Sequence, residues 1–177
     1  GDTDVATVKG CNLPEDRLYD VENHTWFTEV GDGTVRIGMT SVATALAGQL
    51  VAFTPKKVGR KVRPGKSCAT VESGKWVGPA KSAAGGEVVG VNEELLGNPS
   101  AANQDPYASW MVQIQPDDWD SVKAGLTAGA DVAGPYEAKM DAERAAREAE
   151  EARAEAEIQA QKRAEAEAEK TRLAEEA

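Results

Sequence analysis

The composition of the chain changes abruptly at Gly134 and Pro135, and this change constrains the fold more than any other feature. No glycine or proline occurs after Pro135, although both are frequent before it. The residues that follow are mostly Ala, Glu, Arg and Lys, which favour helix, and proline suits the first turn of a helix. We therefore predict a long charged helix over residues 134–177, appended to a domain of different architecture.

The predicted helical tail has few large apolar side chains. Met140, Ile158 and Leu173 are too widely spaced to form the a/d seam of a coiled coil. Without an apolar stripe the tail offers no obvious interface. We expect a solvated helix in preference to a docking arm.

The residues before the tail show short runs of alternating apolar and polar side chains separated by turn signals. This pattern predicts strands over 26–30, 34–38, 50–53, 67–71, 87–91 and 110–114. A short helix is expected over 41–47, with Ser41 as its N-cap and Gly48 at its end. A helical turn is expected over 92–96. The sequence thus predicts a mainly β domain over 18–133, preceded by an N-terminal extension over 1–17.

Several classes of protein are disfavoured by the bulk sequence. No apolar run approaches the roughly 20 residues needed to span a bilayer, and the first residues do not resemble a signal peptide. We expect a soluble, cytoplasmic protein without a membrane partner. Two cysteines, Cys11 and Cys68, are too few for a disulfide scaffold, and the single histidine leaves a zinc site without ligands.

The formal net charge of −10 is unevenly distributed. Residues 56–81 contain eight Lys and Arg residues against Glu72 alone, so this segment is strongly positive. Such a face either steers an acidic partner or is an ordinary solvated surface. Nucleic acid is a poor candidate, because the rest of the chain is acidic and aromatic residues do not interleave with the basic ones.

No motif indicates that the chain is an enzyme by itself. The glycines at 31 and 33 join two hairpin strands, whereas a dinucleotide fingerprint would open a helix. A phosphate-binding loop and a nucleophile elbow are both missing from the sequence.

The segment 72–76 has the sequence Glu-Ser-Gly-Lys-Trp and is followed by Gly-Gly-Glu-Val at 85–88. It resembles the lipoyl-attachment region of the glycine-cleavage H-protein family. Lipoyl domains carry Glu three positions before the modified lysine and Gly eleven positions after it, and Glu72 and Gly86 stand at these offsets from Lys75. The resemblance implies lipoate joined by an amide to Lys75, with Glu72 and Gly86 involved in recognition for lipoylation.

The resemblance extends from about Leu18 to about Ile114 and includes the segments 19–26, 31–35, 58–62 and 105–107. It implies a lipoyl-domain-like barrel-sandwich hybrid with short peripheral helices, followed here by the long C-terminal helix. It also places His24 near the lipoyl arm, although a lone histidine is more often a structural hydrogen-bond partner.

The expected site agrees with the demands on a swinging carrier. A carrier lysine must sit on a rigid exposed turn, since a loose loop would lower the effective concentration of the cargo at each partner. Gly74 and its flanking strands suit such a turn. Biotin carriers use a similar lysine but flank it with methionines, which Gly74 and Trp76 replace here. Without the motif, Lys75 would be taken for an ordinary surface lysine.

Two residues depart from the usual family pattern of Val before the lysine and Ala after it. Gly74 and Trp76 occupy these positions, and the segment continues as Val-Gly-Pro at 77–79. It resembles lipoate-binding proteins of the heterodisulfide-reductase-like sulfur-oxidation pathway, a branch that the segment Gly-Cys-Asn-Leu-Pro-Glu at 10–15 also suggests. The first expectation is therefore a carrier of sulfur intermediates, with the heterodisulfide-reductase-like complex and a lipoate-attaching enzyme as partners.

Two alternatives remain open at this point. The first is an H protein that carries the aminomethyl group, with glycine decarboxylase, aminomethyltransferase and dihydrolipoamide dehydrogenase as partners. The second is an interaction module without lipoate that uses the hairpin face or the tail. On any of these interpretations, Gly74, Trp76 and His24 are the candidate hairpin and partner-contact residues.

Overall fold

The computed structural model describes residues 4–177. It contains two compact units, one that ends at Glu137 and one that runs from Ala138 to Ala177. Within residues 4–177, no helix is long and apolar enough to cross a membrane.

The first unit is built mainly from strands, as the alternating pattern predicts. In the described residues the strands are β1 (Val5–Val8), β2 (Cys11–Pro14), β3 (Leu18–Asp20), β4 (Thr25–Glu29), β5 (Val35–Met39), β6 (Leu50–Pro55), β7 (Lys61–Val62), β8 (Lys66–Ser73), β9 (Val77–Ser82), β10 (Gly86–Val91), β11 (Trp110–Pro116) and β12 (Thr127–Ala128). The helices are α1 (Ser41–Ala47), α2 (Glu93–Gly97), α3 (Ala101–Gln104), α4 (Trp119–Gly125) and α5 (Ala133–Glu176), and Gly129–Asp131 forms a 3₁₀ turn.

The strands form two main antiparallel sheets and one hairpin. The larger sheet has seven strands in the order β12-β3-β4-β5-β11-β10-β7, and the smaller has three in the order β6-β8-β9. One apolar cluster draws side chains from both, such as Phe27 and Ile37 from the larger and Phe53 and Val71 from the smaller. Burial of this shared face stabilises the unit. The expectation of a mainly β fold with short helices and a long C-terminal helix is confirmed.

The predicted N-terminal extension is partly structured. Its residues form the β1–β2 hairpin, in which Ala6 pairs with Leu13, and Leu13 is fully buried. Residues 1–3 of the predicted extension lie outside the described residues. The sequence does not predict this hairpin clearly, because each of its strands is only four residues long.

The cap of α1 differs from the prediction that Ser41 would provide it. The hydroxyl of Thr40 accepts a hydrogen bond from the backbone N–H of Ala43 at 3.2 Å, so Thr40 is the N-cap. Ser41 Oγ instead donates to the carbonyl oxygen of Asn12 at 2.6 Å. Thr40 has the extended backbone that a cap requires, whereas Ser41 is already helical.

The C-terminal helix also starts differently from the predicted division after residue 133. The helix α5 begins at Ala133, and Tyr136 in its first turns is fully buried within the first unit. A cut after residue 133 would remove this side chain from the core it helps to fill. We therefore propose the end of the carrier domain at Glu137, and the residues beyond it are largely exposed, with ion pairs such as Arg172 to Glu176 at 2.8 Å.

Candidate functional site

Lys75 lies at the tip of the hairpin that joins β8 to β9. The backbone N–H of Ser73 donates to the carbonyl oxygen of Trp76 at 2.7 Å and closes the turn. The hydroxyl of Ser73 accepts a second bond from the N–H of Lys75 at 3.3 Å. Ser73 is buried, whereas Lys75 is exposed. The base of the hairpin is therefore held by the protein, and the lysine side chain at its tip is presented to solvent.

The stem of Lys75 passes over the end of α1. Gly48 ends this helix with a φ of +84°, and a Cβ built on it would lie 3.0 Å from Lys75 Cε. Asn103 holds this chain segment in place, since its Nδ2 donates to the carbonyl oxygen of Gly48 at 2.8 Å and its Oδ1 accepts from the N–H of Leu50 at 2.9 Å. Glycine at position 48 thus both ends the helix and leaves room for the lysine stem.

A cleft of about 500 Å³ opens beside the hairpin. Its walls are mainly apolar and come from α1, β5, β8 and β9, while residues 22–24 supply polar groups. The lining consists of Glu22, Asn23, His24, Thr25, Met39, Ala43, Leu46, Ala47, Val71, Lys75, Trp76, Pro79, Ala80 and Lys81. Its size and mixed lining fit a small-molecule site, for which volumes of roughly 300–1,000 Å³ are usual.

One polar group in this lining has no partner. The hydroxyl oxygen of Thr25 is buried and makes no hydrogen bond in the structure, and the residue is only 1% exposed. An unpaired buried hydroxyl is destabilising. Thr25 belongs to the wall of the cleft, but its hydroxyl oxygen is itself closed to solvent.

His24 is held by the first turns of α5. Its Nδ1 lies 2.8 Å from the hydroxyl of Tyr136, and the two rings stack with centroids 5.5 Å apart. The Tyr136 hydroxyl also lies 2.9 Å from the hydroxyl of Thr40, the cap of α1. His24 therefore lines the cleft as part of a hydrogen-bonded group with Tyr136 and Thr40. This arrangement supports a structural role for His24 as a hydrogen-bond partner.

Trp76 packs on its own hairpin and remains partly exposed. A Cβ built on Gly78 would lie 2.1 Å from Trp76 Cζ2, so the indole covers Gly78 and would have to move for any larger residue there. The Trp76 side chain is nevertheless 41% exposed, and its neighbour Val77 is 60% exposed. The hairpin thus presents an apolar surface beside Lys75.

The other predicted site residues have different environments. Glu72 is exposed on β8 and pairs with Val77 across the hairpin. Gly86 lies in the seven-stranded sheet, where a Cβ would approach the carbonyl oxygen of Gln115 to 2.1 Å. Close backbone approach therefore accounts for the glycine at 86, and a role for Glu72 and Gly86 in lipoylation remains a prediction.

Gly74 is not required by the geometry of the turn. Its φ is not positive, and a Cβ built on it would meet nothing within 4 Å. A valine or alanine fits this backbone as well as glycine does. Gly74 is therefore compatible with the turn, as the sequence suggested, but the turn does not depend on it.

The described residues contain no cluster of His, Cys, Asp and Glu that could hold a metal ion. Cys11 and Cys68 are free thiols in the structure. Burial raises the pKa of the Cys68 thiol to about 12, which keeps it protonated and inert at neutral pH.

The site thus brings together Lys75, Trp76 and His24 around one cleft, while Gly86 belongs to the other sheet. The sequence did not predict the contributions of four residues to this site. These are the seat of the indole on Gly78, the contact of Tyr136 with His24, the hydrogen bonds of Asn103, and the space that Gly48 leaves for the lysine stem. Gly78 carried a general signal, because a glycine inside a strand often marks a bulge or a close approach.

Comparisons with known proteins give a consistent result. The family model described as glycine cleavage H-protein matches residues 17–139. The glycine cleavage system H protein 5 of Aquifex aeolicus is 52% identical over 127 residues, which cover 69% of this chain and 85% of the relative. A probable glycine cleavage system H protein 2 of Sulfurisphaera tokodaii is 38% identical over 131 residues, covering 72% of this chain and 88% of the relative.

The fold is similar to that of a solved structure. The crystal structure of a glycine cleavage system H protein from Mycobacterium marinum matches with a TM-score of 0.61 and 35% identity, covering 70% of this chain and 98% of that protein.

Proposed function

This chain belongs to the glycine cleavage H-protein family, and from that premise we propose that it is the lipoyl carrier of a glycine cleavage system, with the lipoyl group on Lys75. Members of the family carry lipoate covalently attached to a lysine. The observation that carries the assignment to Lys75 is its position at the tip of a closed hairpin with a cleft alongside.

The residues around Lys75 fit a lipoyl group. The stem of the lysine lies over Gly48, and the cleft beside it has apolar walls such as Met39, Leu46 and Val71. These walls suit the aliphatic part of the arm and exclude water from it. When attached, lipoate supplies a pair of thiols that the polypeptide lacks at this site.

The polypeptide positions the lysine that carries the lipoyl group. The bond between Ser73 and Trp76 and the contacts of Asn103 fix both sides of the lysine stem. Such a fixed base raises the effective concentration of the carried group at a partner's active site. The chain acts as a modified substrate and not as a catalyst.

The partners follow from this assignment. A lipoate-attaching enzyme must reach the exposed Lys75 amine. Glycine decarboxylase, aminomethyltransferase and dihydrolipoamide dehydrogenase would then act in turn on the attached group. The sequence alone placed the sulfur pathway first. Glycine cleavage is now preferred, because the relatives from Aquifex aeolicus and Sulfurisphaera tokodaii are named for it.

The heterodisulfide-reductase-like sulfur pathway is the second candidate. It is favoured by one observation, the half-exposed indole of Trp76 seated on Gly78 at the position where the family pattern has a small residue. A large exposed aromatic beside the arm indicates a partner surface different from the usual one.

Reconstitution distinguishes the two candidates. We expect the lipoylated protein to support exchange between the glycine carboxyl group and bicarbonate by glycine decarboxylase, and the Lys75→Arg variant to support none. Turnover by a heterodisulfide-reductase-like complex, without glycine exchange, would contradict the proposal and support the second candidate. In that case Trp76→Ala should lower turnover while leaving lipoylation unchanged.

A further inference from the structure

Residues 56–66 carry a dense group of cations and are here called the basic loop. The segment follows β6, includes the short strand β7 and ends at Lys66, the first residue of β8. It contains Lys56, Lys57, Arg60, Lys61, Arg63 and Lys66 and no acidic residue, and all six of these side chains are exposed. The loop surrounds an open concavity of about 990 Å³. None of the groups proposed to handle lipoate lies in it.

The backbone of the basic loop is held in place. The N–H of Gly59 donates to the carbonyl oxygen of Val88 at 2.8 Å. In return, the N–H of Val88 donates to the carbonyl oxygen of Arg60 at 2.9 Å. The N–H of Gly65 donates to the carbonyl oxygen of Ser82 at 2.7 Å. A partner therefore meets an ordered backbone, and binding does not have to order the loop itself.

Most of this charge is not neutralised within the protein. Lys61 Nζ lies 3.3 Å from Asp117 Oδ1. Lys61 is also opposite Glu87 in the register of β7 and β10. The structure shows no carboxylate at ion-pairing distance from the other five cations among residues 4–177. An ordinary solvated surface intersperses both signs of charge, and this loop does not.

The loop also exposes an apolar side chain at its centre. Val58 lies between Lys57 and Arg60 and is 62% exposed. An apolar spot with a charged rim is the pattern of a protein interface. Residues 56–66 contain no aromatic side chain for base stacking and no bulky side chain to insert into a membrane.

We propose that the basic loop is a docking site for a protein surface that presents clustered carboxylates around a small apolar side chain. The site is separate from the lipoyl hairpin, because β8 leads from Lys66 to Ser73 and its eight residues span roughly 23 Å. A partner bound there holds the carrier by a second surface while Lys75 remains free.

The test uses the full chain and a synthetic peptide in which Glu pairs flank single Leu residues. Its binding is measured by fluorescence anisotropy at low salt, with a peptide carrying Gln for every Glu as the reference. The triple variant Lys57→Gln, Arg60→Gln, Arg63→Gln should weaken binding of the acidic peptide by about tenfold or more. Binding should also weaken as salt is raised past roughly 0.15 M.

Two matched variants separate docking from general charge attraction. The variant Lys162→Gln, Arg163→Gln, Lys170→Gln removes the same charge from α5 and should change the dissociation constant by less than about twofold. Val58→Ser changes no charge and should weaken binding by about threefold or more. Thermal unfolding checks that the variants remain folded.

The proposal is overturned if the α5 variant loses as much affinity as the loop variant, or if Val58→Ser binds like the wild type. It is also overturned if a thymidine oligonucleotide or anionic lipid vesicles bind the loop more tightly than the acidic peptide. Lys75→Arg should bind the peptide normally, so failure of the lipoylation assignment would leave this result unchanged.

Discussion

At the scale of single residues, two glycines determine how the hairpin presents its lysine. Gly48 leaves room for the stem of Lys75, and Gly78 leaves room for the indole of Trp76. Neither effect follows from the lipoyl motif, which names the lysine and its neighbours but not the residues beneath them. Gly74, which does belong to the motif region, has open space around it.

Gly78 and Gly74 form a matched pair for substitution. Gly78→Ala should displace the indole of Trp76 and destabilise the protein by about 1–3 kcal/mol, because the added Cβ overlaps the ring. Gly74→Ala should change stability by less than about 0.5 kcal/mol. Chemical denaturation measures both, and equal effects at the two positions would show that the ring does not rest on Gly78.

The unpaired hydroxyl of Thr25 gives a second prediction. Thr25→Val keeps the shape and removes the buried polar group, so the lipoate-free protein should be stabilised by about 1 kcal/mol. Thr40→Val is the control, since the hydroxyl of Thr40 caps α1 and bonds to Tyr136. That variant should be destabilised by about 1–2 kcal/mol. A loss of stability in Thr25→Val would mean that its hydroxyl is satisfied.

At the scale of elements, regular alternation predicted six of the twelve strands in residues 4–177, and it did not predict the short or irregular strands. The strand β8 alternates between buried Val71 and exposed Glu72, and residues 67–71 were predicted correctly. The strand β9 contains Gly78, Pro79 and several small residues, so its pattern is weak in the sequence. Its strand conformation depends on pairing with β8, which is tertiary context.

The start of α5 shows why composition alone misplaced a boundary. The composition changes at Gly134, but Tyr136 beyond it stacks on His24 and is fully buried. One aromatic residue among charged neighbours does not alter the average, although it contributes to the core. The first compact unit therefore ends at Glu137, four residues after the division that composition placed at residue 133.

Two truncations test this boundary. A fragment of residues 1–137 should unfold with nearly the midpoint of the full chain, because the helix beyond Glu137 belongs to a separate compact unit. A fragment of residues 1–134 lacks Tyr136 and should be less stable by about 3–5 kcal/mol. Circular dichroism during thermal unfolding provides the comparison. Equal stability of the two fragments would show that Tyr136 adds nothing to the core.

At the scale of the whole molecule, the sequence identified the class of protein better than its pathway. The motif around Lys75 and the resemblance over Leu18 to Ile114 led to the H-protein family and its fold, which the comparisons confirm. The pathway depends on which enzymes recognise the surfaces around the arm. The residues around Lys75 and the segment 10–15 did not suffice to decide this, and the relatives favour glycine cleavage over the first expectation.

The most direct test of the account is the location of the lipoyl group on the intact protein. The chain is co-expressed with a lipoate-attaching enzyme, and peptide mass spectrometry locates the modified lysine. We predict a lipoyl adduct on Lys75 in the wild type and in the Lys81→Arg control, which retains Lys75 beside the same cleft. We predict an unmodified but folded Lys75→Arg variant. An adduct on another lysine, or none on the folded wild type, would contradict the central claim.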